Sequence, residues 1–475
     1  MTQNSPSGNE PTPPNRRLWL LLLRRSSATV GVFLLAGLAG GAWWAWNFVH
    51  HDLAPLIEKN LSQTLSRPVE LGEVERFDLN SIRFGPSAVP ATPTDRDRVA
   101  VAAVEVEFNP LQLLFTRTLK PSITLVKPSI YVEQAKSGEW ISTRVKTQEQ
   151  AGLIKTDLDV IRFRDAVVSL IPYPPAGSKR VAIAFQQVNG AANFFDNNQR
   201  IAFEVSGQPL RGGNLRLKGE SRLKVQQTNL QIRAQNLLAS DISRIIDLPL
   251  DFQAGRVNGA IAVQAHPDEP VKLEGRAELN SVTAQVRQVP QPFRRAKGFV
   301  RFQGQLIALE NISTLYGTLP IQVGGTLNTQ GNYDLRGRLA PVSVAKVIDT
   351  LKITELPFAT AGEVRGGFLL RGPIAKPVLV GTVVTTKTAR VDKVDFSRIS
   401  TNFALVTAES KVIFDQIRAT PEVGGTVTGS GGIKFGQEGG LVLDFVGQNL
   451  PGDAIAQTYG TELPTSIGLV NGRAQ

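Results

Sequence analysis

The stretch Val271-Lys-Leu-Glu-Gly-Arg-Ala-Glu-Leu-Asn280 alternates strictly between apolar or small residues and polar ones. Successive side chains of a strand point to opposite faces, so Val271, Leu273, Gly275, Ala277 and Leu279 share one face. Lys272, Glu274, Arg276, Glu278 and Asn280 share the other. The same period recurs along the chain. Val104, Val106 and Phe108 oppose Glu105 and Glu107, while Leu335, Gly337 and Leu339 oppose Asp334, Arg336 and Arg338. Leu215 and Leu217, Leu223 and Val225, and Leu230 and Ile232 continue it. One apolar and one charged face is the mark of antiparallel strands wetted on one side. The apolar face needs a cover, and no long amphipathic helix is available. The sheet therefore packs on a second sheet or curls so that its own face lines a groove; alternation alone leaves both open.

Composition narrows the class. The 475 residues are 42% hydrophobic and 20% charged, the balance of a globular chain. The 43 glycines and 29 prolines are spread as β-turns require. There are no cysteines, which excludes disulfide staples, thiolate chemistry and cysteine metal sites. The net charge is +11, and its basic residues alternate along strands without forming a stripe, which argues against nucleic acid as a partner. A mildly basic surface suits anionic lipid headgroups.

Residues 28–49 pass without a charge, long enough to cross a bilayer core. Arg16, Arg17, Arg24 and Arg25 precede them and only Asp52 follows closely, which places the N-terminus in the cytoplasm and the body outside. Trp43, Trp44 and Trp46 cluster at the far end, where amphipathic rings favour the interface. A cleaved signal peptide is the competing reading. The small-residue patch Ala39-Gly40-Gly41-Ala42 suits a peptidase, but the apolar run exceeds an ordinary h-region. Residues 1–27 form a basic tail whose Pro-rich start reads as disordered. Pro55 to Ser66 has a helical pattern, with Leu56, Ile57, Leu61 and Leu65 on one face.

The body repeats. Leu248-Pro249, Leu356-Pro357 and Leu463-Pro464 recur with a period of about 107 residues. Each precedes a glycine-bracketed pentapeptide: Gly255-Arg-Val-Asn-Gly259, Gly362-Glu-Val-Arg-Gly366 and Gly468-Leu-Val-Asn-Gly472. Upstream, Asp241 and Ser343 read as N-caps of short helices with apolar stripes. A unit of this size holds roughly eight to ten strands and stacks with its neighbours as an open solenoid. Gln475 falls early in the third unit, so the sequence reads as the N-terminal portion of something longer.

No convergent polar set suggests catalysis or a cofactor. His50, His51 and His266 are the only histidines, the first two at the membrane boundary and the third in a turn. Gly429-Ser-Gly-Gly432 lacks the Gly-Lys-Ser/Thr ending of a phosphate loop and reads as a glycine bulge. Asp95-Arg-Asp-Arg98 reads as a solvated connection, and Asp157 and Asp159 as outward strand positions. The apolar face remains. As an open groove, a sheet of strands about 4.8 Å apart over residues 69–475 is very roughly 170 Å long, a span suited to bridging two membranes. Its expected lining is Val104, Val106, Phe108, Leu215, Leu217, Val271, Leu273, Leu279, Leu335 and Leu339.

Several short motifs, in order, carry a resemblance. They are Leu65-Ser-Arg-Pro-Val-Glu-Leu-Gly72, Leu111-Gln-Leu-Leu114, Ile123-Thr-Leu-Val-Lys-Pro128 and Gly138-Glu-Trp140. Further on come Gly372-Pro-Ile-Ala-Lys-Pro377 and Ala419-Thr-Pro-Glu-Val-Gly-Gly-Thr-Val-Thr-Gly429. After the N-terminal span, this order resembles the TamB proteins of the wider AsmA-like group, over nearly the whole chain past residue 20. The resemblance implies a mostly β fold: an elongated, twisted antiparallel sheet curled into an open groove (a β-taco), with one N-terminal transmembrane helix and a few short helices. The implied parts are the tail 1–27, the anchor 28–49, an N-terminal AsmA/TamB-like segment 51–150 and a repeated body 151–475. It further implies an inner-membrane anchor, a periplasmic body, and phospholipid delivery toward the outer membrane or assistance in outer-membrane protein assembly. Similar proteins are tied to protein import in plastid envelopes. The implied protein partner is an outer-membrane β-barrel assembly protein of the TamA/BamA type. It is met through a C-terminal domain without counterpart in this sequence, so the contact is placed on no residue. A scaffold or chaperone with a packed, dry core is the alternative to a lipid path.

Overall fold

The computed structural model describes Ser62 and residues 67–474 apart from 117, 137–139, 141–154, 175–179, 246–249, 287–288, 329–330, 353–357, 374–375, 407–410, 435–438 and 462–464. The expected anchor residues Arg24, Arg25, Trp43, Trp44 and Trp46, the helical pattern at 55–66 save Ser62, and the three Leu-Pro pairs lie outside the described residues. Among those described, no helix is long and apolar enough to cross a membrane.

Strands dominate. Among the described residues a single 27-stranded sheet contains nearly all of them, and the one other sheet is a two-stranded pairing of Thr118–Leu119 with Lys155–Thr156. The tertiary structure thus decides between the two covers that alternation left open: among the described residues no second sheet lies over the first, and the sheet is one large, open, curved layer. The two-stranded pairing is parallel; within the large sheet the described pairings are antiparallel except at one junction. There Val160–Ile171 runs parallel to Ser122–Val126 and to Ser129–Glu133. The connection from Glu133 to Val160 exceeds the dozen or so residues that a parallel crossover requires, so it permits this exception to the expected antiparallel pattern.

Among the described residues four short helices interrupt the strands: α1 (Pro110–Thr116), α2 (Ala239–Ile245), α3 (Val344–Leu351) and α4 (Gly452–Thr458). The last three carry the repeat. Six long strands separate α2 from α3: Leu250–His266, Glu269–Val286, Phe293–Gly304, Leu306–Tyr316, Leu319–Asn328 and Asn332–Ser343. Six more separate α3 from α4, from Glu363–Pro373 to Gly440–Pro451. The first of these units falls short of eight to ten strands because single strands reach 18 residues, whereas the second reaches eight with the short strands Thr360–Ala361 and Ala389–Val391. Ser343 caps α3 as expected, its Oγ accepting from the Lys346 N–H. Asp241 instead sits inside the first turn of α2, 2% exposed at its side chain and paired at 3.0 Å with Arg211.

A crease crosses the sheet. In strand after strand the alternation skips one step, leaving two consecutive outward residues between two inward ones. The skips are Phe163-Arg-Asp-Ala166, Phe185-Gln-Gln-Val188, Ala234-Gln-Asn-Leu237, Leu279-Asn-Ser-Val282, Phe293-Arg-Arg-Ala296, Leu309-Glu-Asn-Ile312, Phe414-Asp-Gln-Ile417 and Gly447-Gln-Asn-Leu450. The third residue of each has positive φ, from 50° to 55°, and the ladder registers shift there. These are β-bulges, which bend a strand and increase its twist. Deep burial lies beside them: Ala166 and Val282 are 0% exposed. Val282 packs with Ala239, Val257, Ala277, Ala296 and Ile312.

The repeated pentapeptide fastens this crease. Asn258 Oδ1 accepts the Asn236 N–H at 2.7 Å, and Arg256 Nη1 donates to the Asn236 carbonyl at 2.7 Å. Both polar groups of the bulge residue are satisfied by Gly255-Arg-Val-Asn-Gly259. Gly255 is required there: φ is +97°, and a Cβ would stand 2.4 Å from Val282 Cα. In the third unit Asn471 Oδ1 accepts the Asn449 N–H at 2.7 Å. The second unit has Pro341 at the skip, which offers no N–H, and Arg365 in place of the asparagine. Asn258→Ala is expected to cost about 0.5–1.5 kcal/mol by removing that hydrogen bond. Faster hydrogen exchange at Asn236, with Asn449 unchanged, checks it.

Candidate functional site

The site is the apolar face, and ladder register shows how continuous it is. Residues paired directly across a ladder share a face, so each row can be followed from strand to strand. One row runs Ile82, Val106, Ile123, Ile161, Ala192, Phe203, Gly219, Leu230, Val263, Leu273, Gly304. Beside it, a second passes from Phe84 through Val104, Leu125 and Phe163, then Leu217, Ile232, Phe302 and Leu327 to Tyr333. A third passes from Leu215 through Ala277, Val300, Leu309, Leu335, Leu370, Leu379 and Leu405 to Leu441. No charged residue enters any of the three.

Each residue singled out for the lining can now be placed. Val104, Val106 and Phe108 belong to a packed N-terminal cluster with Ile82, Phe84 and Val101. Leu215, Leu217 and Leu273 are half-buried on the shared face. Leu279 and Leu339 stand beside the crease, and Leu335 is 8% exposed. Val271 lies at the margin near the Pro267-Asp268 turn, 48% exposed. Most of these side chains thus keep apolar surface toward open space.

Aromatic residues keep the face low. Opposite Phe163, Phe203, Phe368, Phe403 and Phe445 stand Gly190, Gly219, Gly337, Gly381 and Gly429. A Cβ at Gly337 would fall 2.0 Å from the Phe368 ring, so the ring lies on the backbone where a side chain would stand. This aromatic covering of strand glycines pins register while leaving the space above the ring free. It also corrects the reading of Gly429-Ser-Gly-Gly432. The bulge is on the neighbouring strand at Asp415-Gln416, and the glycines make room for Phe445 and Leu443.

The opposite face is ionic. Arg276 and Arg301 share Glu310 at 3.0 and 2.7 Å, and Arg371 meets Asp334 at 3.2 Å. Hydrogen bonding to Arg390 and Arg473 holds the Asp395 and Asp444 carboxyls below the usual range. In the unit between α3 and α4 the pattern lapses: Val380, Ile413 and Val442 are 37%, 39% and 72% exposed on this outward face.

Two polar clusters differ from their sequence reading. Asp157 and Asp159 precede the strand Val160–Ile171 rather than lying on it; Lys120 meets Asp157 at 3.4 Å and Ser122 donates to Asp159 at 2.8 Å. Asp95-Arg-Asp-Arg98 is a partly buried knot. Arg67 binds Asp95 at 3.1 Å and donates to the carbonyls of Pro90 and Asp97, while Asp97 Oδ1 accepts from the Glu133 N–H at 2.8 Å. Burial pushes the Asp97 carboxyl up from 3.8. The folded state therefore holds that proton more tightly, and stability falls as pH rises from 3.8 through the raised value. Asp97→Asn keeps the Oδ1 acceptor and is expected to flatten that fall, read as melting temperature against pH. Among the described residues no group of three His, Asp or Glu side chains is placed to hold a metal.

Sequence comparison places the chain beside two plastid proteins. It is 22% identical over 346 residues to Protein TIC236, chloroplastic, of Arabidopsis thaliana, covering 64% of this chain and 16% of that protein. It is 23% identical over 364 residues to Protein SUBSTANDARD STARCH GRAIN 4, chloroplastic, of Oryza sativa subsp. japonica, covering 67% and 17%. The chain spans about a sixth of the length of these relatives. No protein-family model matches, and no solved structure does.

Proposed function

We propose that the chain is a membrane-anchored β-groove that carries phospholipids across the aqueous space between two membranes. The observation that carries this reading is the set of unbroken apolar rows on a face over which, among the described residues, no second sheet lies. Each CH₂ of an acyl chain laid on such a face gains about 0.8 kcal/mol over water, and the headgroup stays in solvent. Because the rows cross strand after strand, one alkyl-compatible surface continues along the sheet, and passage needs no catalytic step. The uncharged run at 28–49 and the resemblance to TamB proteins support an inner-membrane anchor, a periplasmic body and a role in outer-membrane biogenesis. An outer-membrane β-barrel protein would be met through sequence beyond these residues. The plastid relatives fit a double-membrane setting.

The outward apolar residues Val380, Ile413 and Val442 favour a second reading, a scaffold for protein assembly or translocation that docks a protein on that face. Lipid mass spectrometry on the full chain, extracted with minimal detergent, separates the two. Several phospholipids per chain, lost when Leu273 is made acidic, support the conduit. Lipid content indifferent to that change favours the scaffold, because lipid around an anchor does not depend on Leu273.

A further inference from the structure

We infer that α1 and the adjoining Leu79 turn form a wedge that inserts into the surface of the bilayer to which the chain is anchored. The inference rests on the anchored reading above. Leu79, Leu111 and Phe115 are 87%, 64% and 80% exposed, among the most exposed large apolar side chains of the described residues.

They belong to one tip. The strand Ser81–Phe84 pairs with Ala103–Glu107, and the Phe108 N–H donates to the Asn80 carbonyl at 2.9 Å, which joins the Leu79 turn to the start of α1. Asn109 Oδ1 accepts from the Leu111 and Gln112 N–H groups at 3.0 and 3.2 Å, fixing the helix at that corner. Leu111 and Phe115, four residues apart, stand on one side of α1. The connection to the uncharged run ending at Val49 is about thirty residues, so the tip lies within tether of the bilayer that the run would enter. Nearby charges are mixed, Glu107 and Asp159 with Lys120, so attraction to anionic headgroups is not the driving term. Apolar burial is, and it survives salt. A wedge at this end would also set the first apolar row, which begins at Ile82, against the lipid it is to receive.

The chain has no cysteine, so single cysteines report cleanly. Leu79→Cys, Phe115→Cys and two exposed controls, Val225→Cys and Val442→Cys, carry an environment-sensitive fluorophore on the full chain. The chain is reconstituted in phosphatidylcholine vesicles containing a bilayer-embedded quencher. Blue-shifted emission with quenching at 79 and 115, unchanged in high salt and absent at 225 and 442, is the expected result. A blue shift without quenching means a protein surface covers the tip, and overturns the wedge. So does water-like emission at 79 and 115 from chains that resist alkaline carbonate, which leaves the anchor intact. Release of the chain by carbonate overturns the anchor reading and the wedge with it.

Discussion

Leu273→Asp is expected to abolish lipid carriage while the protein stays folded. Leu273 is half-buried on the first apolar row, opposite Val263 and Gly304. A carboxylate there turns toward open space without entering a dry core, so folding loses about 1 kcal/mol of partial leucine burial. Cargo fares worse. An aspartate at the centre of a hydrocarbon layer costs about 2.5–3.5 kcal/mol, which lowers occupancy of that point by roughly 70-fold or more. Because the path is a continuous strip, one such point interrupts all traffic along its row. Lipid bound per chain and circular dichroism, measured on the same preparation, test this. Retained lipid with an intact fold would remove the apolar face from the transport route; loss of the fold would mean that Leu273 is core and not lining.

Val282→Asp is expected to do the opposite. Val282 is 0% exposed at the crease, enclosed by Ala239, Val257, Ala277, Ala296 and Ile312. A carboxylate buried there has no partner and must either stay protonated or force the crease open, at a cost of about 4 kcal/mol or more. In a stacked array such damage is local, because each unit contacts only its neighbours. The unit between α2 and α3 should melt first, seen as an early unfolding step and new protease cleavage within residues 250–343. An unchanged melting curve would show that the crease is not the structural core. The two substitutions bring the same chemistry to one strand nine residues apart, and the bulge at Ser281 separates their outcomes.

Much of this was open to reading from the sequence. Period-two alternation is a local property, and it placed Val106, Leu217, Leu273 and Leu335 on one face because a strand offers a side chain only two directions. The repeat was also legible, although the meaning of its pentapeptide was not. Asn258 acts on Asn236 of the preceding strand, across a helix and a turn. The signal that went unread was the skip itself, two polar residues between two apolar ones, in Phe163-Arg-Asp-Ala166 and its counterparts. Read one strand at a time, each looks like a lapse in alternation; aligned across the sheet, they form the crease. Asp97 was misread because its burial depends on Arg67 and Glu133, distant in sequence.

The sequence by itself determined that this protein is built of two-faced strands, one face apolar and one charged, with a repeat marked by short helices and glycines. Local chemistry suffices for that, since alternation, caps and turns are settled within a few residues. Only the tertiary structure decided that among the described residues no second sheet lies over the apolar face, that its rows align from the N-terminal strands to Leu441, that one junction within the large sheet is parallel, and that the sheet bends at a row of bulges. Those outcomes depend on which strands pair and in what register, and pairing is a relation between residues that the chain keeps far apart.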